Sequence, residues 1–141
     1  MGELIGFLSP DRINRTDVSQ TTPLPVSQAP SGAAGAAIAP TASSAAESSH
    51  VLKASGGNLY GVSGYIGAAG WIMLFDAASA PADGPVTPVG WLYAPQAGSW
   101  SMDWGVTPQL FVNGIVVVAS STGPLTKTAY STNTVFAGLV Q

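Results

Sequence analysis

Gly114-Ile115-Val116-Val117-Val118-Ala119-Ser120 is the stretch that decides the fold. Its four successive β-branched residues are stiff at χ1, a handicap in a helix and an advantage on a pleated strand, so the run is read as a strand. Trp71-Ile72-Met73-Leu74-Phe75 is apolar at every position, and five residues without alternation predict a strand covered on both faces. Working outward from these two, Val51–Ala54, Leu59–Ile66, Val89–Ala94, Ser99–Trp104 and Thr134–Val140 also read as strands. Trp100, Met102 and Trp104 alternate with Ser99, Ser101 and Asp103, while Trp91 and Tyr93 share one side of their strand opposite Leu92. Asp83-Gly84-Pro85 and Thr122-Gly123-Pro124 are the clearest turns. About seven short strands with turn signals between them, and no helical period, predict an all-β fold. The expectation is an antiparallel β-sandwich over residues 51–141, with a closed barrel as the alternative.

Ahead of residue 50 the chain changes character. Of twelve aromatic residues only Phe7 lies there, and residues 27–49 hold nine Ala and six Ser in 23 positions. Such a stretch buries too little apolar surface to offset the entropy of ordering it alone. Residues 1–50 are therefore expected to form an extended N-terminal arm. Its anchoring groups would be Leu4, Ile5, Phe7 and Leu8 near the start and Ile38, the one bulky aliphatic in the Ala/Ser stretch.

Composition narrows the function. Net charge is −3, and 8 % of residues are charged, against about a quarter in an ordinary domain. No basic patch offers a nucleic-acid footprint. The absence of cysteine removes disulfides and thiolate metal sites. The uncharged stretch from Ala54 to Phe75 carries six glycines, which argues against a membrane span.

Catalytic chemistry has little to draw on. His50 is the sole histidine and reads as an exposed linker residue; Glu47 is its nearest acidic neighbour in sequence. Asp76, Asp83 and Asp103 are the only carboxylates after residue 50, each in a position with a structural use, and a glycosidase needs two at a set separation. No serine-nucleophile elbow, P-loop or dinucleotide fingerprint occurs. The expectation is a protein with no catalytic residues, metal site or cofactor. Four tryptophans, Trp71, Trp91, Trp100 and Trp104, lie close together in the sequence. Core packing is the favoured reading for all but Trp91. The alternative is a platform for sugar rings, with Trp91, Tyr93 and Trp100 as stacking residues.

Gly57-Asn58-Leu59-Tyr60-Gly61-Val62-Ser63, Gly70–Ala77, Ala80–Gly84 and Gly114–Gly123 ahead of Leu125-Thr126-Lys127-Thr128 form a succession. It resembles small β-domain structural proteins of tailed-phage virions, some of them similar to capsid decoration (cement) proteins. The likeness covers about residues 52–130 and leaves the arm outside it. It implies a non-enzymatic protein on the capsid surface whose partners are the major capsid protein and neighbouring copies of itself. It also implies a homo-oligomer, a trimer being one such arrangement. A carbohydrate-binding or host-recognition module of a phage particle is the alternative.

Overall fold

The structure is a computed structural model, and it describes residues 37–141. Two antiparallel sheets face each other. The first runs β1 (Ala39–Ala42), β11 (Thr134–Val140), β3 (Gly57–Ile66), β7 (Gly98–Asp103), with β8 (Gln109–Phe111) pairing the start of β3. The second runs β2 (Ser49–Lys53), β9 (Ile115–Ser120), β4 (Gly70–Asp76), β6 (Gly90–Ala94). A two-stranded ribbon of β5 (Gly84–Pro85) and β10 (Thr126–Lys127) stands apart from both. The architecture is all-β and sandwich-like, and none of the sheets closes into a barrel.

The seven expected strands appear as β2, β3, β4, β6, β7, β9 and β11, and four short ones join them. Period-two alternation turns Val62, Ile66, Trp100, Phe136 and Val140 of the first sheet towards Leu52, Ile72, Leu74, Ile115, Val117 and Ala119 of the second. These side chains form the main core, and Ile66, Ile72, Ile115 and Val117 are fully buried.

β4 is covered on both faces, as its unbroken apolar run requires. Met73 and Phe75 point away from the main core and join Val116 and Val118 in a second cluster. Ala80, Val86 and half-buried Trp71 pack against that cluster. Ser120 holds down part of the cover: its hydroxyl donates to the Thr122 carbonyl at 2.6 Å and accepts the Thr128 amide at 2.9 Å. A second staple is Tyr130, whose hydroxyl donates to the Ala68 carbonyl at 2.6 Å and accepts the Ala68 amide at 3.0 Å.

The expected boundary at residue 50 needs correction. Ala39 to Ala42 pair with Val140 to Ala137, so the chain joins the first sheet at residue 39. Beyond β1 the Ser43 amide donates to the Phe136 carbonyl at 2.8 Å, and the Glu47 amide to the Thr134 carbonyl at 2.9 Å. Residues 43–48 thus carry the chain from the edge of one sheet to the edge of the other. Ala-Pro-Thr-Ala has no apolar period to betray a strand. Pro40 has no N–H to donate, which confines such a segment to an edge, where β1 lies.

Candidate functional site

Among the described residues, His50 and the three aspartates have structural partners. His50 is not an exposed linker residue: it lies in β2 with its side chain 17 % exposed. Its Nδ1 lies 2.7 Å from a Glu47 carboxylate oxygen, and its Nε2 is 3.4 Å from the Thr41 hydroxyl. The histidine thereby ties the crossing segment to both sheet edges.

Asp76, at the end of β4, accepts the amides of Val112 at 3.0 Å, Asn113 at 2.6 Å and Gly114 at 3.3 Å. These bonds, that from Asn113 foremost, hold its carboxyl below the ordinary aspartate range. They fix the turn that feeds β9. Asp83 pairs with Lys127 across the β5–β10 ribbon and accepts the Ala129 amide at 2.9 Å. The hydrogen bond from Lys127 is the main cause of its lowered pKa. Asp103 accepts the Gly105 amide at 2.5 Å, closing a turn in which Gly105 takes a φ of 62°. Among the described residues no three His, Asp or Glu side chains gather as metal ligands would. Nor is any helix there long and apolar enough to cross a membrane.

The aromatic residues divide sharply. Trp100 is only 7 % exposed and packs edge-on against Phe136 with ring centroids 6.0 Å apart. It belongs to the core wall, so the alternative that counted it as an open stacking platform is corrected. Gly64, its partner in register, makes the room: a Cβ there would lie 2.8 Å from the indole and 2.1 Å from the Val135 carbonyl oxygen. The indole Nε1 is buried with no hydrogen-bond partner, an arrangement that costs about 1–3 kcal/mol in a folded protein. Trp104 is half-buried against the same core.

Trp91 and Tyr93 are the opposite case. They are 51 % and 49 % exposed on the same side of β6. Beneath them the register sets Met73 beside Trp91 and Trp71 beside Tyr93. The Trp71 and Tyr93 rings meet at 5.0 Å and 46°. Where β6 turns into β7, Tyr93, Gln96, Ser99 and Trp100 line a groove of about 310 Å³. Sequence reading named Tyr93 and Trp100 but not Gln96 or Ser99, since one polar residue in a turn carries no signal until the turn's partners are known.

The outer face of the first sheet offers a different surface. Ala42, Gly61, Ser63, Ser101 and Ala137 form a shallow groove of small side chains beside half-exposed Leu139, and it starts at β1. Ile38 is half-buried immediately ahead of β1. Leu4, Ile5, Phe7 and Leu8 lie outside the described residues. Comparison with protein-family models, curated proteins and solved structures found no match to this chain.

Proposed function

We propose that this chain is a virion structural protein, a decoration or cement protein that grips the outside of a phage head through its N-terminal residues. The observation that carries this reading is the point of attachment. The described chain begins just ahead of β1, an edge strand whose outer side is unpaired among the described residues, so the junction with residues 1–36 lies at the rim of the sandwich. A segment leaving there is placed to lie along another subunit. Extended segments gain affinity by ordering over a large surface. Repetition on a symmetric shell adds avidity.

Two further features support it. A sandwich sealed by two apolar clusters suits a persistent outer module. Large apolar side chains also remain on its surface, among them Val106, Val112, Leu110 and Leu125, each more than half exposed. Exposed side chains of this kind are available for contact with neighbouring subunits.

The partners in this reading are the major capsid protein and adjacent copies of the same chain, and the site is the capsid surface. Co-sedimentation of the full chain with capsids lacking it tests the idea. Wild type should pellet with the capsids, and Phe7→Ser should bind at least several-fold more weakly while melting at the same temperature. Equal binding by both proteins, or none by wild type, contradicts it.

A further inference from the structure

The exposed face of β6 and the groove beside it have no part in that attachment, and they combine features that assembly does not explain. We propose that Trp91, Tyr93 and the groove at the β6–β7 turn bind a neutral oligosaccharide.

Ring presentation is the first argument. Trp91 and Tyr93 are two residues apart on a strand, so their side chains stand about 6.6–6.8 Å apart on one face. A chain of linked sugar rings can lie across both, with its C–H faces on the π-faces. Tyr93 is held by the Trp71 ring at 5.0 Å, so little side-chain freedom is left to lose on binding.

The groove is the second. Its volume, about 310 Å³, is at the small end of ligand sites. Its lining includes Tyr93, Gln96, Ser99 and Trp100, and a phenol, an amide and a hydroxyl can each both donate to and accept from sugar hydroxyls. Trp100, with its unpartnered N–H, separates this groove from a second one bounded by Ser63, Gly64 and Ser101.

Charge selects the kind of sugar. From Val89 to Met102 no residue is charged. Of the described cations, Lys127 is engaged by Asp83 and Lys53 lies against Gly57. Among the described residues no guanidinium or ammonium waits at the site for a carboxylate or phosphate, which points to a neutral glycan over a sialylated or phosphorylated one. A competing occupant is the chain's own Thr22-Pro23-Leu24-Pro25, because aromatic grooves also take proline-rich segments.

The indole N–H signals of the full-length protein, followed by ¹⁵N NMR, decide the matter. Cellohexaose, maltohexaose and chitohexaose would be titrated separately to millimolar concentration. At least one should move the Trp91 and Trp100 signals saturably. Tyr93→Ala and Gln96→Ala should each weaken that binding roughly tenfold. Gln96 sits in an exposed turn, so its variant keeps the test valid should the tyrosine variant fold poorly. Three results overturn the proposal. One is no indole shift with any of the three sugars. Another is unchanged affinity in Gln96→Ala and in every folded aromatic variant. The last is a moved Trp91 signal in sugar-free Pro23→Ser/Pro25→Ser, which would mean that the chain's own segment fills the site.

Discussion

Asp76 carries more of the fold than its exposure suggests, because one carboxylate gathers three successive backbone amides at the entrance to β9. Its pKa is lowered in the folded protein, as is that of Asp83. The folded state therefore binds these protons less tightly than the unfolded chain does. The stability they contribute is complete above the unfolded aspartate value and is lost as pH falls through the lower, folded ones. Melting temperature should hold from neutral pH down to about pH 4 and then decline. In Asp76→Asn it should start lower at neutral pH and decline less steeply on acidification. A parallel decline in variant and wild type would show that Asp76 has no such role. Gly64 gives a second test at this scale. Its missing Cβ leaves room for Trp100, and the Val135 carbonyl at 2.1 Å is backbone that cannot swing aside. Gly64→Ala should destabilise by roughly 1–3 kcal/mol, as overpacking does, and thermal unfolding would read it. Trp100's inward direction was legible from its alternation with serines, since period two fixes the face. The freedom of Trp91 was not, because its exposure depends on which strand lies at the sheet edge.

At the level of elements, legibility followed side-chain size. β4 and β9 announce themselves through bulky or branched residues whose burial drives folding, and Val116 and Val118 also explain why the second face of their sheet needs a cover. β1, β5, β8 and β10 are two to four residues long and are defined by their partners. Ala39-Pro40-Thr41-Ala42 becomes a strand only because the edge of β11 is there to receive it. Deletion therefore has two expected outcomes. Removing residues 1–36 should leave the melting temperature nearly unchanged. Removing residues 1–49 strips β1 and the Glu47–His50 contact, uncovers the edge of β11, and should lower it by many degrees. Equal stability of the two truncated chains would return the domain boundary to residue 50. Val117→Asp tests the central strand. Val117 is fully buried between β2 and β4, and an unpaired charge there costs several kcal/mol, a large share of the roughly 5–15 kcal/mol that holds a domain together. That variant should be unfolded by circular dichroism at room temperature, whereas Asp83→Asn, at an exposed ion pair, should stay folded and melt close to wild type.

For the whole molecule, the two proposed functions occupy different borders of the sandwich. β1 and the groove beside it lie on the first sheet, and Trp91 and Tyr93 on the far edge of the second. A particle-bound domain held at β1 can keep its β6 edge towards solvent, so attachment and glycan recognition are compatible. The sandwich was legible in the sequence because strand count, turn chemistry and alternation agree. The role was not, because an exposed aromatic such as Trp91 has the same sequence pattern whether it meets a ligand, a neighbouring subunit or solvent. Amide hydrogen exchange over residues 1–36, in the free protein and on the assembled capsid, tests the attachment most directly. The account predicts protection around Leu4 to Leu8 gained on assembly and lost in Phe7→Ser. Equal exchange in both states, on a protein that still binds the capsid, would contradict it.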